Sequence, residues 1–381
     1  MYSLADHAAM VADGTRTGAY LRALEQTVTP GCIVADIGTG VGILALFAAR
    51  LGAGVVYAIE PDASIRVAEQ IARDNCLHDR IRFVKDVSTA VSPACRADIV
   101  VSDLHGVLPL FGNHLHAVID ARQRLLAPGG VLIPAEDRIY IAPVEAEDHY
   151  AAIAGPWEKT PLQLDFSAAR NQAINAWQRH GPGAVTPLAP GELWTTLDYR
   201  CVENLDADGE CRWRIRRAGT LHGFSVWFES QLADQVRLSN APGNPGLVYG
   251  AALFPLSHPI DVSEGDRLKL NLRADYIAED YVWRWETSIQ DKNYKKSTQN
   301  FHQSTFYAAP LSLESLNKSA TDHCPGLKPR GRAALSVLER LENGCSLEEI
   351  ATALNRESAG LFNGLESAEQ FAARLLSRYM T

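Results

Sequence analysis

Two groups of residues in this chain have the types and spacing to do chemistry. The first lies in the run Val34, Ala35, Asp36, Ile37, Gly38, Thr39, Gly40, Val41, Gly42, Ile43, with Glu60 following Ala58 and Ile59. Gly38 and Gly40 let the backbone approach a ligand where any Cβ would clash. An acid that ends the next strand can accept from the two hydroxyls of a ribose. The glycine spacing differs from the G-x-G-x-x-G whose helix N-terminus faces a pyrophosphate. Asp36, just ahead of the turn, would repel a pyrophosphate but suits the ammonium and sulfonium of S-adenosylmethionine. The second group is Asp103, His105 and His114, on one loop. Asp103 stands just past an apolar strand, at the carboxyl edge where α/β sites form. A histidine can take a proton near neutral pH from an amine, imidazole, hydroxyl or carboxyl acceptor. The plain alternatives are a structural or helix-capping acid at 103 and surface-loop histidines at 105 and 114.

Positioning these residues requires strands that end together. Residues 31–145 alternate strands and helices, which implies a mostly parallel sheet. Strands are expected at Cys32–Ala35, Val55–Ile59, Ile81–Val84, Ile99–Ser102 and from Val131. Helices are expected at Ile43–Leu51, Ser64–Asn75 and Leu115–Leu126, the last stopped by Pro128, Gly129 and Gly130. After about residue 145 the texture changes. Trp157, Phe166 and Trp177 mark a helical insertion, and alternating runs such as Trp194–Tyr199, His222–Phe228 and Arg267–Leu272 read as an antiparallel, barrel-like β domain. The tail is helical. Gly331–Glu342 and Glu366–Tyr379 flank a helix opened by the capping box Ser346, Leu347, Glu348, Glu349, which together look like a winged-helix unit.

The bulk composition excludes several classes. A chain of 381 residues is long enough for two or three domains, and 46% hydrophobic residues is ample for a core. A formal charge of −9 argues against a nucleic-acid surface, and the balanced charges of the tail favour a docking or packing module over a DNA reader. No apolar run reaches membrane-spanning length, and the first residues lack the basic and apolar segments of a secretion signal. The seven cysteines form no C-x-x-C pair, as expected of reduced thiols in a cytoplasm, and no metal site is expected.

Taken in order, the motifs over residues 1–315 resemble the protein arginine methyltransferase family. Tyr2, His7, Met10, Asp13, Arg16, Thr17 and Tyr20 fall at positions of that family's lid. The run from Asp36 to Leu44, then Glu60, then Leu125 to Gly130, then Ile133 and Pro134 follow in sequence. Leu221 to Phe228 looks like a signature strand of the family's β-barrel. The resemblance implies a class I, Rossmann-like S-adenosylmethionine domain at 31–145 behind an N-terminal helical lid at 1–30. It implies a β-barrel-like domain at 146–320, with a helical dimerisation arm at about 150–180 and hence a homodimer. The helical module at 328–381 lies outside it. By the same resemblance Arg16 grips the cofactor carboxylate, Gly38 and Gly40 line the cofactor, Asp36 lies near its amino end, Glu60 holds the ribose, and Ser88 and Met10 join the cofactor contacts.

The likeness fails at the acceptor. The family clamps a guanidinium, which is protonated near neutral pH, between two glutamates of one loop. Here the first of those positions holds Asp103 and the second Gly112. The counterpart of the family's Thr-His-Trp loop is Leu247, Val248, Tyr249, Gly250, without a histidine. The expected activity is therefore methyl transfer from S-adenosylmethionine to a nitrogen or oxygen of a peptide, protein or small metabolite rather than to a standard protein arginine. The alternatives are genuine methylation of protein or free arginine, a natural-product methyltransferase, and, with least support, a non-catalytic scaffold.

Overall fold

In the computed structural model, which describes residues 2–158, 164–293, 297–310, 321–324, 326–358 and 360–379, the chain opens with two helices. These are α1 (Leu4–Ala12) and α2 (Gly14–Thr27). α1 starts on a reciprocal capping box between Ser3 and Asp6 and buries no residue. α2 buries Arg16, Ala19, Tyr20, Ala23 and Leu24, one face at helical spacing. Then come β1 (Ile33–Ile37), α3 (Ile43–Arg50), β2 (Val55–Ile59), α4 (Ile65–Asp74), β3 (Ile81–Val84), β4 (Ala97–Ser102), α5 (His114–Asp120) and β5 (Leu126–Ile133). The strands form one parallel sheet in the order β3-β2-β1-β4-β5.

The register of that sheet assembles the site. Ile37 pairs with Ile59 on one side and Ser102 on the other. The next residues on the three strands are Gly38, Glu60 and Asp103, so they emerge side by side at the carboxyl edge. The strand order reverses between β1 and β4, which opens the crevice in which α/β sheets hold ligands. Tyr20 ties α2 across this edge by donating to the Ser102 carbonyl at 3.1 Å. Gly42 has a packing role. A Cβ there would lie 2.9 Å from the Ala68 Cβ, so its absence lets α3 and α4 approach.

The helix expected at Leu115–Leu126 is α5 running on into a π-helical turn at Ala121–Leu125. Pro128, Gly129 and Gly130 lie inside β5 rather than acting as the helix stop. Leu126 already pairs with Ala97, and a register shift before Ile99 absorbs the extra residues.

β6 (Glu136–Glu145) carries the chain into the antiparallel region. There follow α6 (Glu147–Ala154), α7 (Ser167–Ala173), β7 (Gln178–His180), β8 (Thr186–Pro187), β9 (Glu192–Asp198), β10 (Ala207–Arg214), β11 (Gly219–Ala233), β12 (Val236–Ser239), β13 (Ala251–Val262), β14 (Arg267–Ile277), β15 (Asp280–Gln290) and β16 (Gln299–Ser304). One sheet runs β7-β13-β11-β6-β8, with β12 joined to β11 and β9 to β6, and the other runs β10-β14-β15-β16. Trp194 Nε1 donates to the Leu272 carbonyl and Trp285 Nε1 to that of Pro255, both at 3.1 Å, which ties the two sheets. The strand expected at His222–Phe228 lies in β11, where Leu221 to Phe228 are buried without a break. The period of two survives: Phe224, Val226 and Phe228 enter the main core, while Trp227 packs with Ala142, Val144 and Leu253 in a second cluster. Both faces are covered, so burial is continuous.

Two compact units result, Met1–Pro310 and Leu311–Thr381. The second holds helices at Pro329–Glu342, Leu347–Glu357 and Leu365–Tyr379. The Ser346–Glu349 capping box forms as expected. Val337, Ile350, Leu354, Ala368 and Ala372 give this unit a core of its own. No helix of the described residues is long and apolar enough to cross a membrane.

Candidate active site

A cavity of about 630 Å³ opens at the carboxyl edge of the parallel sheet. Gly38, Asp86 and Ser88 border it together with Asp103, Gly112 and His114. A second cavity, of about 310 Å³, shares Tyr2 and Pro61 with the first and is bordered by Glu60 and the His7 ring. Glu60 is fixed by the chain around it: one oxygen accepts from Gly40 N at 3.1 Å, the other from Asp62 N at 2.9 Å. A carboxylate accepts through both oxygens at several sites, so acceptor capacity is left for a ribose. The side chains of Leu104 and His7 cover the bare faces of Gly38 and Gly40, coming within 2.4 and 2.7 Å of where a Cβ would stand. Gly38 adopts φ +71°, which glycine tolerates best.

Asp36 turns toward α3. Its Oδ2 accepts from Thr39 Oγ1 at 2.5 Å and Ala45 N at 3.0 Å, while its buried Oδ1 has no partner. Burial pushes its pKa up to about 7 against the pull of those two bonds. The acid thus serves the glycine turn and the N-terminal turn of α3 together, and keeps one acceptor in reserve. With Glu60, Ser88 and the glycine turn, that is a donor and acceptor set that fits the sugar and the cationic amino-acid end of S-adenosylmethionine.

Asp103 sits at the centre of a buried charge network. Arg16, 4% exposed, donates from Nε to Asp103 Oδ2 at 2.5 Å, ion-pairs with it through Nη2, and donates from Nη1 to the Met10 carbonyl at 3.1 Å. The Tyr249 hydroxyl donates to Asp103 Oδ1 at 2.6 Å and accepts from Arg16 Nε at 3.1 Å. Burial works against the charged carboxylate, but the Arg16 guanidinium and the bonds from His105 and Tyr249 outweigh it and hold Asp103 well below the usual carboxylate range. An acid so held, with both oxygens engaged, is a poor proton acceptor and a durable negative charge.

The plain alternative of surface-loop histidines does not hold, because both are buried. His105 is wholly buried, stacks on Phe228 with centroids 5.0 Å apart, and lies between two acids: Nδ1 is 3.1 Å from Asp103 and Nε2 2.9 Å from Asp137. Burial opposes its charge, yet Asp137 and Asp103 push its pKa up to about 10. It stands next to a cavity-lining acid rather than on the lining itself. His114, the first residue of α5, is also buried but does border the cavity. Its Nε2 is 3.0 Å from the Tyr199 hydroxyl. Tyr199 donates its only proton to Asp137, so the His114 bond requires Nε2–H as donor. Nδ1 then carries the lone pair, and it has no partner in the protein. Burial, and then the charge on His105, push His114 down to about 3, which keeps it neutral. His105, His114 and Asp137 bring atoms of metal-ligand type within 4.8 Å of one another, but hydrogen bonds among them and Tyr199 occupy the converging atoms.

Sequence reasoning missed Asp137, Tyr199, Ser230 and Tyr249. Asp137 left a readable sign: it lies in phase with the buried Ile139 and Ile141 of β6. An acid on the apolar phase of a strand must be buried with partners. Its partners are His105, Tyr199 and Ser230.

Known proteins share this fold. The family described as "Ribosomal protein L11 methyltransferase (PrmA)" matches residues 14–135, and that described as "PRMT5 oligomerisation domain" matches residues 140–312. Protein arginine N-methyltransferase 2 of Xenopus tropicalis is 27% identical over 303 residues, 74% of this chain and 68% of the relative. The arginine N(omega)-methyltransferase of Streptomyces achromogenes subsp. streptozoticus is 29% identical, over 70% of this chain and 75% of the relative. The chain spans less of some plant relatives, 54% of the Arabidopsis thaliana protein described as probable protein arginine N-methyltransferase 6. Among solved structures, the Trypanosoma brucei PRMT1 enzyme-prozyme complex with AdoHcy superposes with a TM-score of 0.70 at 20% identity, over 78% of this chain and 97% of that one. Arabidopsis thaliana protein arginine methyltransferase 10 gives 0.68 at 23%, over 78% and 96%. The parallel sheet, its glycine turn and the acid at the end of β2 define a class I S-adenosylmethionine-dependent methyltransferase. Within that class the chain is similar to members of the protein arginine methyltransferase family.

Proposed function

We propose that this methyltransferase modifies a nitrogen or oxygen of a peptide, protein or small metabolite seated between Asp103 and His114, and not an arginine clamped by two glutamates of one loop. The observation that carries this reading is Gly112. A Cβ at that position would meet nothing within 4 Å, so the place of the second clamp acid is open space on the cavity wall. Bound S-adenosylmethionine supplies a sulfonium methyl group, and transfer needs an acceptor lone pair held in line with it. Glu60, Ser88, Gly38 and Gly40 hold the nucleoside end in this reading. Arg16, whose remaining Nη protons are not used by Asp103, Tyr249 or Met10, holds the carboxylate. Asp103 offsets positive charge near the reacting atoms. His114, held neutral, offers Nδ1 as a hydrogen-bond acceptor that orients an N–H or O–H of the acceptor, and His105 positions Asp103 from behind.

A second reading, genuine methylation of free or protein arginine, is supported by the relatives, one of them the arginine N(omega)-methyltransferase of Streptomyces achromogenes. A homodimer is proposed from the match of residues 140–312 to an oligomerisation domain and from the exposed Trp157 and Phe166 of the arm. The unpaired cysteines suit a reducing cytoplasm. The decisive experiment follows label from S-adenosylmethionine into a lysate of the source organism, split by size. Label in large molecules assigns a protein or peptide acceptor, label in small ones a metabolite. Failure of the purified protein to bind S-adenosylhomocysteine in calorimetry would remove the reading altogether.

A further inference from the structure

The charges around Asp103 already cancel. Arg16 and His105 face Asp103 and Asp137, so this network has no net negative charge to offer a cationic acceptor. The cavity does. Asp86 and Glu279 border it outside that network, and among the described residues no lysine or arginine does. Glu279 comes from a different element, the turn between β14 and β15, where Ile277 pairs with Asp280 across Ala278 and Glu279. Among the described residues no cation pairs with it.

That turn is fastened to the loop that has lost its acid. Asp280 Oδ1 accepts from Gly112 N at 3.4 Å, and the Tyr276 hydroxyl bonds Asn113 Oδ1. Asp206 accepts from Tyr276 N at 2.8 Å and braces the hairpin from the far side. The backbone is strained where the side chain is presented. Ala278 and Glu279 adopt φ +51° and +65°, a two-residue hairpin conformation for which Asn-Gly is the relaxed sequence. A glutamate that stands where glycine would relax the chain points to a task for its carboxylate.

We infer that Glu279 supplies the second acid of the acceptor site, from a hairpin instead of the loop that carries Asp103, and that the acceptor is a cationic nitrogen, guanidinium or ammonium. The inference rests on the methyltransferase reading above and narrows its acceptor class. Glu279 and Gly112 border the same cavity, and the neighbouring Asp280 is bonded to Gly112 N, so an acid at 279 would replace the missing one from a second element.

The test is calorimetry on the full-length protein saturated with S-adenosylhomocysteine. The probes are the N-acetyl amides of arginine, lysine and citrulline; citrulline keeps the shape of arginine without its charge. At least one cationic probe is expected to bind ten times tighter or more than the citrulline probe, and the better of the two tells guanidinium from ammonium. Glu279→Gln and Glu279→Gly should each reduce that preference below twofold and leave the S-adenosylhomocysteine affinity within twofold. Glu279→Gly also guards against misfolding, because glycine suits φ +65° and should keep or raise Tm. A wild type without preference for charge, or either variant retaining it in full, overturns the inference. A wild type that fails to bind S-adenosylhomocysteine overturns the reading beneath it instead.

Discussion

Asp103 and His105 make each other's charge permanent, and this separates holding charge from moving protons. Asp103→Asn is expected to leave S-adenosylhomocysteine binding nearly unchanged and to lower turnover by about a hundredfold or more through loss of its fixed charge. Glu60→Ala should instead weaken S-adenosylhomocysteine by about tenfold or more, the loss of a charge-assisted bond. Calorimetry beside a turnover assay tells the two apart, and full activity in Asp103→Asn would make that acid purely structural. His105→Gln leaves two buried acids without their shared cation and should cost about 3–5 kcal/mol. The sign with pH follows from the direction of the shift. The folded pKa of about 10 lies above the unfolded value of about 6.5. The contribution of His105 is thus complete below about pH 6.5 and fades as pH rises through about 10. Urea unfolding of wild type and variant at pH 6, 8 and 10 should show the gap narrowing, and a constant gap would refute the imidazolium. Asp103 runs the other way: its contribution is present above its unfolded pKa and is lost in acid. Asp36, the glycine turn and Glu60 were legible because their spacing follows the chain. Asp137 was legible in principle from its apolar phase. Tyr199 and Glu279 were not, since long-range β pairing brings them to the site and nothing local marks them.

At the scale of elements, α1 and α3 sit at opposite ends of a stability range. α1 buries nothing and is held by its capping box and by the Met10 carbonyl, so it belongs among the parts that open at little cost. Removing residues 1–12 should lower unfolding stability by under about 1 kcal/mol while weakening S-adenosylhomocysteine binding, since Met10 and His7 leave with it; a large loss of stability would contradict its marginal packing. α3 is the reverse. Gly42→Ala adds a methyl 2.9 Å from Ala68 at a φ of +90°, and is expected to cost about 1–3 kcal/mol in urea unfolding. The parallel strands and tail helices were readable from period and caps, with ends displaced by a residue or two, except β5, which begins at Leu126 and not at Val131. The antiparallel strands were read too short, because alternation fades where a strand such as β11 is covered on both faces.

For the whole molecule, two separate cores predict two cooperative steps in calorimetric unfolding. Deleting residues 328–381 should remove one step and leave S-adenosylhomocysteine affinity unchanged. A change in KM for a macromolecular acceptor would then give the tail a docking role, and no change would leave it a packing element. The order of the motifs made the architecture of residues 1–310 legible, but the tail carries only helical periodicity and caps, which fix a shape and no partner.

The shared register of Gly38, Glu60 and Asp103 also makes the sheet a gauge. Adjacent strands stand about 4.8 Å apart, so the sugar grip at the end of β2 and the acid at the end of β4 are separated by two rungs, about 10 Å, whatever the loops do. Loop and hairpin can be recut for a new acceptor while that span between nucleoside and reaction centre stays constant. Lineages descending from such a scaffold would exchange the group they modify far more readily than the donor they consume.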